Sequence, residues 1–215
     1  MAGIRQTKRL IVEGIDDRHS VIGLMRHHVT WPKEKDDAPV WIALGNSADE
    51  ILADDFLPTE IKTPGIDILG VVLDADTAPP GRYQRICQLC SELFPVIPKS
   101  PPSGGMITEN DGRRFGLWIM PDNLSDGCLE TFLRHLVPNQ SQPLWQLAMK
   151  SVADAKSVGA ACRDCHTDKS NLYTWLAWQD PPGQSPGLAL TQKCLDPHAP
   201  SANLFVKWFR ELYRL

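Results

Sequence analysis

The run Leu69 to Leu73 (Leu-Gly-Val-Val-Leu) constrains the fold of this chain more than any other stretch, because it is apolar throughout and then breaks off at Asp74 and Asp76. An uninterrupted run with β-branched Val71 and Val72 suits a strand covered on both faces, as in a parallel sheet. Thr77, Pro79, Pro80 and Gly81 follow and turn the chain. The two carboxylates therefore sit at the carboxyl end of a buried strand, which is where open α/β sheets bind ligands. Residues 8–14 repeat the design, with Leu10 to Val12 leading into Glu13 and Gly14 and then a helix.

The rest of the chain fits around these two strands. A helix beginning near Asp16 carries Val21, Leu24, Met25 and His28 at i, i+3, i+4, i+7. Residues 32–39 read as a charged loop, 40–44 as a strand, and 47–54 as a short helix capped by Ser47. Strand, helix, strand, helix, strand in this order predicts a parallel sheet. Ile86, Leu89, Cys90 and Leu93 mark a further amphipathic helix, and residues 95–114 read as the longest irregular stretch, either functional or disordered. A strand over 115–120 precedes a turn at Pro121-Asp122-Asn123. The helix expected over 125–137 has Leu129, Phe132, Leu133 and Leu136 on one stripe and Glu130 off it. Helices are expected over 142–157, 168–178 and 202–213. The 215 residues suit a single domain, with an α/β core over 1–137 and a helical C-terminal extension over 138–215.

A formal charge of -4 argues against a broadly basic protein that coats nucleic acid, so any such contact must be local. The basic residues Arg5, Lys8 and Arg9 come first, and no apolar run reaches the length of a signal peptide or membrane span. A cytoplasmic protein with its six cysteines reduced is expected. Cys162, Cys165 and His166 spell the haem-attachment pattern, and Cys87 with Cys90 adds a second CxxC pair. Haem attachment requires export, however, and Cys87 and Cys90 fall within an amphipathic helix, so packing roles are expected for the cysteines.

If the strands ending in Glu13 and Asp74 are neighbours, about 4.8 Å apart, their carboxylates and that of Asp76 face one small volume. Two carboxylates about 4 Å apart repel by roughly 4 kcal/mol at an effective dielectric near 20, and a bound cation or a proton relieves this. Magnesium or manganese matches such oxygen donors. Asp16 and Asp17 also suit the first turn of a helix, where acids are favoured; Asp17 is retained as a further candidate ligand.

The glutamate of LIVEG, followed about sixty residues later by a strand ending in DAD, resembles the Toprim domain of topoisomerases, primases and OLD-type nucleases. FGLWIMPDN with GCLETFL, and HTDKSNLYTWLAW, make the whole chain similar to a family of small stand-alone Toprim-related proteins of unknown function. The resemblance implies a Toprim-like, Rossmann-like fold with Mg2+ or Mn2+ held at Glu13, Asp74 and Asp76, and with Glu130 and Asp122 as further acids for a second ion. It also implies a catalytic lysine beside the metals, for which Lys169 is the candidate. No catalytic-tyrosine domain, zinc-binding primase module or GxxxxGKS stretch is present in the chain, so an ATPase partner of the OLD type would be a separate chain. The function implied is metal-dependent cleavage of a nucleic-acid phosphodiester, DNA ahead of RNA. The alternative is a non-catalytic or regulatory module that assembles with a separate ATPase or with a second copy of itself, away from any membrane.

Overall fold

A computed structural model of the chain describes residues 7–32, 34 and 37–215. Arg5 and part of the charged loop over 32–39 lie outside the described residues. Five strands, β1 (Lys8–Val12), β2 (Trp41–Leu44), β3 (Ile68–Asp74), β4 (Met106–Asn110) and β5 (Arg113–Met120), form one sheet in the order β2-β1-β3-β5-β4. All pairings are parallel except that of β4 with β5, with Ile11 opposite Val71 and Val71 opposite Leu117.

Alternation along the strands sends side chains into two separate cores. Leu10, Val12, Val72, Trp118 and Met120 point to one face. There they meet α1 (Ile15–Met25), α5 (Leu129–Arg134), α6 (Gln142–Ser157), α7 (Thr167–Leu176), α8 (Pro186–Thr191) and α9 (Pro200–Tyr213). Ile11, Leu69, Val71, Leu73, Leu117 and Ile119 point to the other face, under α2 (Ala48–Ile51), α3 (Phe56–Lys62) and α4 (Pro79–Cys90). The apolar run of β3 is buried on both faces, as its composition requires. The molecule is thus a mixed α/β structure whose mostly parallel sheet is flanked by helices, with a helical C-terminal part.

Four stretches depart from expectation. Residues 95–114 hold β4, whose hairpin with β5 turns through Asp111 and Gly112, both at positive φ (48° and 73°) as a two-residue type I′ turn demands. The helix expected over 47–54 stops at Ile51, and α3 follows as a separate element; Ser47 does cap α2, its hydroxyl accepting from Glu50 N at 3.2 Å. The helix expected over 125–137 begins only at Leu129, and α8 has no counterpart in the expectations.

Helix α9 lies against two glycines of the sheet. A Cβ on Gly70 would stand 2.3 Å from the Tyr213 hydroxyl and 2.9 Å from Leu10 Cδ1, and one on Gly116 would stand 2.5 Å from Leu212 Cδ2. Tyr213 is fully buried and donates its hydroxyl to Arg9 O at 2.8 Å, while Trp208 donates to Met106 O at 3.2 Å. Gly70→Ala is expected to destabilise the protein by about 1–3 kcal/mol through overpacking against a residue that cannot retreat without losing a hydrogen bond. Urea unfolding checks this, and a midpoint indistinguishable from wild type would show that α9 sits less firmly on the sheet than its packing implies.

Candidate functional site

Strands β1 and β3 are neighbours, and the chain leaves them in different ways. From β1 it passes through α1 on one face to β2, and from β3 it enters α4 on the other face. The carboxyl ends of β1 and β3 therefore flank a topological switch point, the crevice where such sheets bind ligands. Glu13 and Asp74 are the residues that emerge there. Glu13 Oε1 accepts from the backbone amide of Asp74 at 2.7 Å, so the two strand ends are joined through the first acid. Asp74 Oδ1 accepts from Leu129 N at 2.8 Å, which fixes the start of α5 over the end of β3. Reciprocal backbone bonds of 2.8 Å between Asp76 and Gly127 hold the same two loops together.

Two further carboxylates complete the group. Asp17 in the first turn of α1 reaches back to Gly14 N at 3.0 Å. Glu130 in the first turn of α5 is buried, 7% exposed, and its Oε2 accepts from the Cys128 thiol at 3.1 Å. The expectation that Glu130 lies off the apolar stripe is therefore correct, but it faces the acids instead of solvent. Burial pushes the Asp74 carboxyl up to about 9, with the charges of Asp17, Glu13 and Glu130 adding to it. Burial and then Glu13 raise Asp17 to about 7. Glu13 is raised by burial too, although the Asp74 amide and the Arg82 guanidinium oppose the shift.

The remaining candidates fall at different distances from this centre. Asp76 is exposed, at positive φ (52°), and is ion-paired with Arg82 on α4; its charge still reaches Glu13. Asp76 therefore stands at the rim, and the expected trio of Glu13, Asp74 and Asp76 is replaced at the centre by Glu13, Asp17, Asp74 and Glu130. Asp122 is a turn residue: it accepts from Leu124 N, Ser125 N and the Ser125 hydroxyl. Burial raises its carboxyl, but those bonds outweigh it and the net shift is downward. Lys169 does reach the group, its ammonium lying 3.5 Å from Glu130 Oε1 and 5.9 Å from the Tyr173 ring centre.

Residues with no sequence signal tie α7 into place. Tyr173 donates its hydroxyl to Asp16 Oδ2 at 2.9 Å, and Thr131 donates to Asp168 Oδ2 at 2.6 Å. The cysteines are all free thiols. Cys90 is buried under the sheet with its thiol pushed up to about 12, whereas Cys165 and His166 are exposed on the turn before α7.

The donor chemistry suits a hard divalent cation, since several carboxylates converge and Asp74 Oδ2 has no hydrogen-bond donor among the described residues. As they stand, no group of three or more His, Cys, Asp or Glu side chains among the described residues is arranged to hold a metal. Closing on an ion would require the acids to lose their protons and draw together.

These features define an α/β protein with half-buried acids gathered at the switch point of a mostly parallel sheet. The chain belongs to the family described as Protein of unknown function (DUF3226), whose model matches residues 7–214. No curated protein and no solved structure matches it. No helix among the described residues is long and apolar enough to cross a membrane.

Proposed function

We propose that this protein is a divalent-metal-dependent phosphodiesterase of the Toprim type that cleaves nucleic acid, DNA ahead of RNA, in the cytoplasm. The observation that carries the proposal is the gathering of Glu13, Asp17, Asp74 and Glu130 at the carboxyl ends of adjacent parallel strands, with a lysine at their edge. Four acids in one crevice, three of them with raised pKa values, are a costly arrangement for a merely structural role.

Glu13 and Asp74 would hold Mg2+ or Mn2+, with Asp17 and Glu130 able to join or to hold a second ion. An ion there supplies Lewis acidity toward a phosphate ester. The chain's own residues do the rest. Backbone amides of Asp74, Gly14 and Leu129 hold Glu13, Asp17 and Asp74 in place. Lys169 sets a positive charge beside the acids where the phosphate would lie. Arg82 offers a second cation, a guanidinium, at the rim if substrate draws it from Asp76.

A second reading, a non-catalytic module that assembles with a separate ATPase or with its own copy, draws support from one feature. Asp74, raised to about 9, keeps its proton at neutral pH and Glu130 has Lys169 as a partner, so part of the acid charge is already met without an ion.

Manganese separates the two. Millimolar manganese is expected to stabilise the fold and so raise the thermal midpoint, as a ligand that binds only the folded state must, the stabilisation being about 2.7 kcal/mol at a hundred times its Kd. Glu13→Gln with Asp74→Asn should abolish that response while the protein still folds. Wild-type protein should nick mixed DNA and RNA substrates in manganese, and Asp74→Asn should not. An unchanged midpoint, with no binding by calorimetry, rejects the metal site. Binding without cleavage favours the module.

A further inference from the structure

Helix α1 borders two sites. Asp17 faces the acids, whereas Arg18, Ile22 and Arg26, spaced by four residues along the same helix, line a cleft of about 420 Å³. That size lies within the range of small-molecule and ligand pockets. The cleft shares no residue with the acid group, and among the described residues no Asp or Glu lines it. Its other walls include Trp31, Leu188 of α8 and Trp41.

Two properties stand out in a chain of net charge -4. Arg18 and Arg26 take part in no ion pair and no side-chain hydrogen bond among the described residues, so two guanidiniums face one cleft with nothing to neutralise them. Trp41 begins the edge strand β2 and is 40% exposed, a large indole left open beside those cations, while Trp31 is steadied by Phe209 at 6.3 Å. Unpaired guanidiniums ask for anions, and open indoles ask for flat rings. A nucleotide carries both. Arg18 and Arg26 are eight residues apart along α1, about 12 Å in backbone rise, a spacing that suits two phosphates of one strand. A strand therefore fits the cleft better than a single nucleotide.

We infer that the α1–α8 cleft binds a single-stranded stretch of nucleic acid, with a base stacked on Trp41 and successive phosphates on Arg18 and Arg26, a combination of basic groove and aromatic platform used by single-strand binders. The inference rests on the proposal that nucleic acid is the substrate. Because Asp17 and Arg18 are consecutive on α1, a strand held in the cleft is led toward the acids. Duplex DNA, its bases stacked inward, has no ring to offer Trp41.

Anisotropy of a labelled oligothymidylate of about fifteen nucleotides, measured in chelator so that neither metal nor cleavage intervenes, tests this. The full-length protein should bind the oligonucleotide and bind a duplex of equal length more weakly. Arg18→Ala with Arg26→Ala should weaken binding at least tenfold and reduce the slope of log affinity against log salt by roughly 1.4, about 0.7 for each phosphate that is no longer neutralised. Trp41→Ala should weaken it about fivefold or more, and Asp74→Asn should bind at least as tightly as wild type. Affinity within twofold of wild type in both cleft variants overturns the inference, as does thymidine monophosphate competing as well as the oligonucleotide. Cleavage in manganese that survives the loss of cleft binding rejects the cleft alone. Tight cleft-dependent binding with no cleavage rejects the nuclease reading alone.

Discussion

In chelator at pH 8, Asp74→Asn is expected to melt about 5 °C or more above the wild type. Asp74 holds its proton up to about 9 in the folded protein, against 3.8 for a free aspartate. Folding therefore takes up a proton between those values. Stability is at its fullest below about 4 and is lost as pH rises through about 9, and Asp17, raised to about 7, adds a loss of the same sign lower in the range. The asparagine retains an oxygen to accept from Leu129 N but has no charge to bury and none to repel Glu13, Asp17 and Glu130. One pKa unit corresponds to about 1.4 kcal/mol, so a gain of about 2 kcal/mol at pH 8 is a modest share of the shift, and in a chain of this size it moves the midpoint by roughly 4–8 °C. Melting curves from pH 5 to 9 should show the wild type falling throughout and the variant falling less, with most of its loss below about 7, where Asp17 still titrates. A variant that melts at or below the wild type at pH 8 would mean that the acids are not crowded in the way their positions imply.

Lys169→Met is expected to lower cleavage about a hundredfold or more, equivalent to at least roughly 2.7 kcal/mol of transition-state stabilisation, while the manganese-induced shift in melting stays close to that of wild type. The ammonium is about half exposed and rests 3.5 Å from Glu130, so in folding terms the pair contributes little, of the order of an exposed ion pair. Its value lies in position. A phosphate entering the crevice would find this cation at the edge of an otherwise negative group. Methionine keeps the length of the stem and its packing on Tyr173 but loses the charge. Cleavage within about threefold of wild type would reduce Lys169 to a partner of Glu130. A lost metal response would show instead that the lysine holds the acids in place.

The two strand ends that carry Glu13 and Asp74 were legible because continuous apolar runs have few alternatives, and each ends in an acid that cannot enter the core. Asp17 was legible both as a helix-start acid and as a candidate ligand, since a carboxylate that returns to the Gly14 amide and one that faces a metal occupy the same position. Glu130 was ambiguous for a related reason: its place off the apolar stripe is visible in the sequence, but what lies opposite is decided by β3 and α7, both far along the chain. Tyr173 gave no sign, because its partner Asp16 is 157 residues away. Strand β4 was missed although a signal existed. The Asp111-Gly112 pair between two short runs is a strong hairpin marker, and the proline and glycine residues upstream drew it into an apparent loop. Helix α3 contains Pro58 within its first turn, where proline is tolerated, yet it breaks the apparent periodicity. The edge of the sheet was thus harder to read than its centre.

The two glycines beneath α9 bear on how the chain is made. Every strand of the sheet is synthesised before Pro200, so a nascent chain that has emerged through β5 has its strand order complete and the Gly70 and Gly116 face bare. Trp118, which packs on Phe205 and Trp208 of α9, lacks those partners until some eighty further residues have followed. Synthesis at about 5–20 residues per second leaves the aromatic half of the core open for several seconds. During that interval the half-built sheet is a target for chaperones and a hazard for aggregation, until the last helix closes over it.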